Sequence, residues 1–261
     1  MRRTNRPQIA GLARALVLAP LWVLCASSFA ATSAESAAQR AQQLVLVITS
    51  DWNANQGALS TYTRVDGRWQ VRDRALPVSI GREGSAWGTG LHSLQAGLQK
   101  REGDGRSPAG MFAIEKAFGY APTFESALGY LGMSAADYCI DVSDSVHYNK
   151  IVSERVAGRS VIERSTEPMR RDIHANGDRR YEWGFVIGHN PNALPNGGSC
   201  IFGHVWGAPG QTTAGCTAMS ESTMRELIRW LRADAQPIFV LLPQAEYVRL
   251  RREWQLPDLP Q

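Results

Sequence analysis

Outside its first 30 residues this 261-residue chain has no net charge. The overall +4 comes from Arg2, Arg3, Arg6 and Arg14, which precede the first acidic residue, Glu35. The remainder balances 24 basic against 24 acidic side chains, which argues against a phosphate-tracking groove and against nucleic acid as a partner. Long apolar runs are missing too. The run ALVLAPLWVL at residues 15–24 is about half the ~20 residues that a membrane-crossing helix needs. Cysteine is scarce, at four, and no Cys-x-x-Cys or His-x-x-x-His pair is present, so tightly spaced metal signatures are absent. There is no internal repeat. What the chain does have is 44% apolar and 20% charged residues, enough to bury a sizeable core and to exclude a disordered chain.

The basic residues 1–14, the apolar residues 15–24 and the small residues of Ser28-Phe29-Ala30 form the three-part pattern of an export signal. We expect cleavage after Ala30 or Ala31, and a protein with no stable membrane span working in the periplasm or cell envelope. Residues 31–42, rich in alanine, then form a linker or short helix, and residues 43–261 one domain. Cys139, Cys200 and Cys216 remain. An odd count in an oxidising space means one pair and one leftover thiol, or three thiols with another use.

From Gln43 onward the pattern is one of short strands. LVLVITS (44–50) is nearly continuous in apolar residues, while residues 59–65 and 69–74 alternate around Asp66-Gly67, the strongest short-range hairpin signal. Residues 75–81, 110–114, 185–188, 200–205 and 237–242 read as further strands. Residues 82–107 are polar and Gly-rich, as in a surface loop. Residues 124–138 have helix-like spacing. Ser220 is a candidate N-cap for a helix whose Met224, Leu227, Ile228 and Leu231 form one apolar stripe, and residues 243–254 suggest a short terminal helix. These elements predict a mainly β protein, a single β-sandwich or open barrel with a few peripheral helices.

Residues 185–219 are the most informative, with two of the five histidines and two of the three remaining cysteines. His204 lies near a strand end, and a short loop returns the chain to Thr213-Ala214-Gly215-Cys216. That arrangement can bring an imidazole within reach of a thiol, as nucleophilic cysteine catalysis requires. Gly215 would let the backbone bend and present N–H groups to an oxyanion. The Ser220 helix would direct its positive end toward a thiolate. Spacing alone leaves equally open a buried or disulfide-bonded Cys216 with His204 as an ordinary sheet residue.

HVWGAPGQTTAGC, at residues 204–216, resembles the His-loop-[Ser/Thr]-x-Gly-Cys signature of the L,D-transpeptidase (YkuD-type) catalytic domain. DGRWQVRDRALPVSIG and Ser107-Pro108-Ala109-Gly110-Met111-Phe112 are similar to that domain's opening hairpin and its Thr-Pro-x-Gly-x-Phe segment, so the likeness spans roughly residues 43–242. It implies an exported, cofactor-free and metal-free enzyme acting on peptidoglycan stem peptides through a thioester. Cys216 would be the nucleophile, His204 the general base, Gly215 the turn residue and Thr213 a hydroxyl lining the site. Ala214 stands where the family often has a second His, Thr217-Ala218 where an Arg commonly follows the Cys, and the loop after His204 is several residues shorter. His189 is the candidate to replace the lost ring in substrate binding, and Arg170, Arg171 and Arg180 are candidate carboxylate binders. If Cys216 is the nucleophile, Cys139 and Cys200 form the pair.

The same scaffold would serve an L,D-carboxypeptidase or other peptidoglycan hydrolase. Two other classes compete. One is a metallohydrolase using His174, His189, His204 and Cys216. The other is a non-catalytic cell-wall binding protein whose tryptophans, Trp87, Trp183 and Trp206 among them, stack on sugar rings.

Overall fold

The computed structural model describes Met1 and residues 33–258; the export signal expected at residues 1–30 otherwise lies outside the described residues. In chain order, helix α1 (Ser33–Arg40) leads into strands β1 (Gln43–Thr49), β2 (Gln56–Val65), β3 (Arg68–Ser79), β4 (Ser85–Trp87) and β5 (Ser107–Gly119). Short pieces follow: β6 (Tyr130–Gly132), β7 (Asp137–Cys139), β8 (Ile151–Ser153), α2 (Glu154–Ala157), α3 (Arg159–Ile162), β9 (Glu167–Pro168) and α4 (Arg171–His174). The chain ends with β10 (Trp183–Ile187), β11 (Phe202–Val205), β12 (Thr217–Met219), α5 (Glu221–Trp230), β13 (Ile238–Pro243) and α6 (Gln244–Leu250).

Eight strands form a closed barrel in the order β10-β11-β12-β3-β2-β1-β13-β5, with β5 pairing back onto β10. The fold is therefore mainly β, and of the two architectures the sequence leaves open it is the barrel. The length of β5 allows closure. Its first half pairs with β13, up to Ala113 opposite Ile238, and its second half pairs with β10 from Ile114 to Gly119. A bulge between Phe185 and Ile187 bends β10 at that seam. The near-continuous apolar runs of β1 and β13 pair in parallel and are buried almost throughout, as strands covered on both faces are.

Local chemistry explains the best-marked elements. Asp66 and Gly67 both have positive φ, +48° and +77°, which a two-residue primed hairpin between β2 and β3 requires. The Ser220 hydroxyl accepts the Thr223 N–H at the start of α5 (3.1 Å), and Met224, Leu227 and Ile228 are buried. Helix α1 occupies most of the Ala-rich tract, with Ala37, Ala38 and Ala41 packed into the core.

Residues 124–138 are not a helix. Gly129, at φ +85°, turns the chain into β6, which runs parallel to the end of β5. A Cβ on Gly132 would lie 2.3 Å from the Pro122 carbonyl oxygen. The apolar spacing there reflects Phe124 packing on Trp183 and Tyr130 and Leu128 entering the core. The surface loop expected at 82–107 contains β4, paired in parallel with the first residues of β5.

Outside the barrel, β8, β7 and β9 form a small separate sheet. Cys139 at the end of β7 is bonded to Cys200, just before β11, with Cα atoms 5.9 Å apart. The disulfide thus staples the small sheet to the barrel wall.

Candidate active site

Two segments about 100 residues apart meet at one turn. Ser107, which opens the Ser-Pro-x-Gly-x-Phe segment and β5, is fully buried. Its hydroxyl lies 2.7 Å from the Gly215 carbonyl and 3.0 Å from that of Cys216, and accepts the Gly81 N–H at 2.9 Å. Thr213 Oγ1 donates to the Cys216 carbonyl (2.7 Å) and accepts the Gly215 N–H (3.1 Å). These bonds fix the turn that presents Cys216. They also occupy the Thr213 hydroxyl and the Gly215 N–H, the two groups expected to face substrate. Gly215 is not in the left-handed region; a Cβ there would come within 3.1 Å of the Arg106 carbonyl, so close approach is what glycine provides.

Cys216 is a free, buried cysteine. Its Sγ accepts the Phe202 N–H at 3.4 Å and faces the Cys200 carbonyl at 3.5 Å. Burial, reinforced by the charge of Glu167, pushes the thiol up to about 12, so it rests protonated. The Ser220 helix does not counter this, because β12 lies between them and three strand residues span about 10 Å. His204 is on β11, whose Gly203 pairs with Thr217 next to Cys216. Its Nδ1 lies 2.7 Å from the Val205 carbonyl, which selects the Nδ1–H form and leaves Nε2 as acceptor. Burial, then nearby Arg180 and Arg171, lowers its pKa to about 4. Cys216 and His204 are therefore a neutral pair at pH 7.

Both residues neighbour Tyr181, which the sequence did not single out. Its ring packs edge-on against His204 at 5.2 Å, it shares a buried cluster with Cys216, and its hydroxyl donates to Glu167 Oε1 at 2.6 Å. Around them Arg171 bonds Asp178 (2.7 Å) and Glu167 (3.3 Å), and Arg180 bonds the same Asp178 (2.6 Å). Burial would raise Asp178, yet Arg180 and Arg171 hold it well below the usual carboxylate range. Two guanidinium groups and two carboxylates, Asp178 and Glu167, form one ion-pair cluster on this side of His204. Arg170 instead pairs with Asp172 and stacks over Tyr120. No short-range sequence pattern joins residues 167, 171, 178, 181 and 204; the fold assembles them.

His189 takes a structural role. It is 2% exposed, its Nδ1 accepts the Thr89 N–H at 3.3 Å, its Nε2 lies 2.9 Å from the Gly197 carbonyl, and its ring packs on Phe112. Both nitrogens are committed, so no ring atom is left for substrate. His174 bonds the Ala135 carbonyl at 2.7 Å. Among the described residues no group of three or more His, Cys, Asp or Glu side chains is placed to hold a metal ion, so the four residues of the metallohydrolase reading do not converge. Trp87 is buried against Trp52 and Trp183 packs on Phe124, which commits both to packing.

A cavity of about 710 Å³ runs along β5 and β10 past Leu131 and Ile151 to Cys200, Ile201 and Phe202. Cys200 and Phe202 separate it from the thiol. The disulfide leaves Cys216 as the single free thiol among the described residues, and closing its 61-residue loop stabilises the fold by about 4 kcal/mol on loop-closure entropy. Unfolding the export-processed protein without reductant is expected to expose one titratable thiol, with alkylation mapping to Cys216; two or three would contradict the pairing.

No family model and no curated protein matches the chain. Among solved structures it is similar to the crystal structure of the helical cell shape determining protein Pgp2 from Campylobacter jejuni. The two are 11% identical over 77% of this chain and 48% of that one, with a TM-score of 0.32. The chain thus spans about half the length of that protein. Among the described residues no helix is long and apolar enough to cross a membrane.

Proposed function

We propose that this protein is a cysteine-dependent acyl-transfer enzyme of the L,D-transpeptidase type, acting on peptidoglycan stem peptides in the cell envelope. The observation that carries this reading is the Ser107 hydroxyl bound at the Gly215-Cys216 turn. It joins both halves of the sequence signature at Cys216, the one free thiol among the described residues, on the strand edge next to the one that carries His204. In the proposed reaction Cys216 Sγ attacks the carbonyl at the L-centre of the diamino acid in a tetrapeptide stem, and its proton passes to His204. The Cys216 N–H faces the oxyanion. Collapse of the adduct breaks the peptide bond, expels D-Ala, whose amine takes up a proton, and leaves a thioester. The side-chain amine of a second stem then forms a cross-link, or water completes a hydrolysis. Arg180, the more exposed of the two guanidinium groups paired with Asp178, is the candidate to meet a substrate carboxylate in place of the missing Arg after Cys216.

Intact mass spectrometry of the export-processed protein with defined tetrapeptide muropeptides tests this. The expected result is an adduct on Cys216 with release of D-Ala, absent in Cys216→Ala. Cross-linked dimers would then identify a transferase and tripeptides a hydrolase. Wall binding without adduct or D-Ala would remove the enzymatic reading.

A further inference from the structure

We propose that Lys100 and Asp104 act as one positioning unit for the turn that carries Cys216, holding the nucleophile where it can attack; this rests on Cys216 being the nucleophile. Lys100 is one of three lysines in the chain. Lys116 and Lys150 are exposed, whereas the side chain of Lys100 is only 4% exposed. Its Nζ donates to Asp104 Oδ1 and to the Arg101 carbonyl, both at 2.5 Å. A buried ammonium is costly unless it is paired and hydrogen-bonded, and Asp104 is the partner that makes this one tenable. The same carboxylate holds the backbone. Its Oδ1 accepts the Arg106 N–H at 2.9 Å and its Oδ2 the Arg101 N–H at 2.8 Å, so one ion pair fixes the turn from 101 to 106.

That turn stands against the nucleophile. The stem of Lys100 passes Gly198, where a Cβ would come within 3.1 Å of its Cγ and 3.2 Å of its Cε, and the same Cε lies 3.8 Å from the place of a Cβ on Gly215. The Arg106 carbonyl lies 3.1 Å from that place. Next in the chain is Ser107, whose hydroxyl bonds both the Gly215 and the Cys216 carbonyls. The other side of the turn is anchored to β4, where the Lys100 N–H donates to the Trp87 carbonyl at 2.8 Å and the Arg106 guanidinium to the Ser85 carbonyl at 3.1 Å. Between these anchors the ion pair sets where Arg106 and Ser107 sit, and through Ser107 where the Cys216 backbone sits. A reacting group displaced by about 1 Å loses about 10²-fold in rate.

Two near-isosteric variants test this. Lys100→Met keeps the stem and removes the ammonium, and Asp104→Asn keeps Oδ1 and removes the negative charge. The experiment measures acylation of Cys216 by the tetrapeptide and, without substrate, its alkylation by iodoacetamide with the disulfide intact, in wild type, both variants and the double variant, with a thermal melt of each. At saturating tetrapeptide both variants are expected to acylate at least about tenfold more slowly, at an unchanged half-saturating concentration, and the double variant no more slowly than the slower single one. Alkylation is expected to move the other way, to about tenfold faster, because a loosened turn exposes the buried thiol more often. Variants that melt lower yet acylate and alkylate at wild-type rates would show a pair that only stabilises the fold, and would overturn the proposal. So would a raised half-saturating concentration at an unchanged rate. If Lys100→Met fails to fold, Asp104→Asn decides; if neither folds, the pair belongs to folding and the proposal falls. Faster variant alkylation without wild-type acylation would remove the stem-peptide reading and leave the positioning unit standing. Wild-type acylation with unchanged variants would do the reverse.

Discussion

His204→Gln is expected to slow acyl-enzyme formation by about 10²–10⁴-fold, the range that a positioned general base contributes, while the barrel stays folded. Burial sets the size of this effect. Burial depresses His204 and raises Cys216, so transfer of the thiol proton to the imidazole is uphill in the resting enzyme. That disfavours a pre-formed thiolate-imidazolium pair. The proton must move as sulfur attacks, which makes the base part of the barrier. The pH dependence follows with its sign. His204 accepts only when neutral, so kcat/KM should stay level from about pH 5 to 8. Below pH 4 it should fall tenfold per unit as the ring is protonated. A limb near pH 6.5 in the wild type would show that His204 is solvated during catalysis and would remove this account.

The second large effect is on stability in acid. Burial lowers His189 and His204 to about 4 from the ordinary 6.5, and lowers His92 in the same direction. A histidine with a depressed folded value binds its proton more readily in the unfolded chain. Its stabilisation is therefore full above pH 6.5 and is lost as pH falls toward 4. At about 1.4 kcal/mol per pH unit for each ring, His189 and His204 together cost about 5 kcal/mol between pH 7 and 4.5. Glu115 and Glu167, raised by burial, oppose this. Asp178, held low by its arginines, adds to the loss only below about pH 4. Urea unfolding across this range should give a free energy that falls with pH, with a slope of up to about two protons taken up on unfolding. A flat or rising profile would mean that both rings are solvated.

Much of the local structure was legible in the residues. Asp66-Gly67 gave the hairpin because its φ values are ones that few other pairs adopt. Ser220 gave the start of α5 through its own side-chain bond, and the runs at 44–50 and 237–242 gave two buried strands. Residues 124–138 misled, because helical spacing also arises when a loop with Gly129 and Gly132 inserts single apolar residues into a core. His189 read as a substrate ligand, since a histidine between Gly188 and Asn190 does not reveal that two backbone groups will occupy its nitrogens. At the turn before Cys216, the Thr213 hydroxyl and the Gly215 N–H bond within the turn itself.

What the sequence determined by itself is most of the elements and the mainly β class, because periodicity and turn chemistry are local properties. Tertiary structure alone decided that the sheet closes into a barrel, that Ser107 locks the Gly215-Cys216 turn, and that Tyr181, bonded to Glu167, enters the cluster that buries Cys216. It also decided that Cys216 and His204 rest neutral. Those outcomes depend on long-range pairing and on how much water each group loses, which no spacing along the chain encodes.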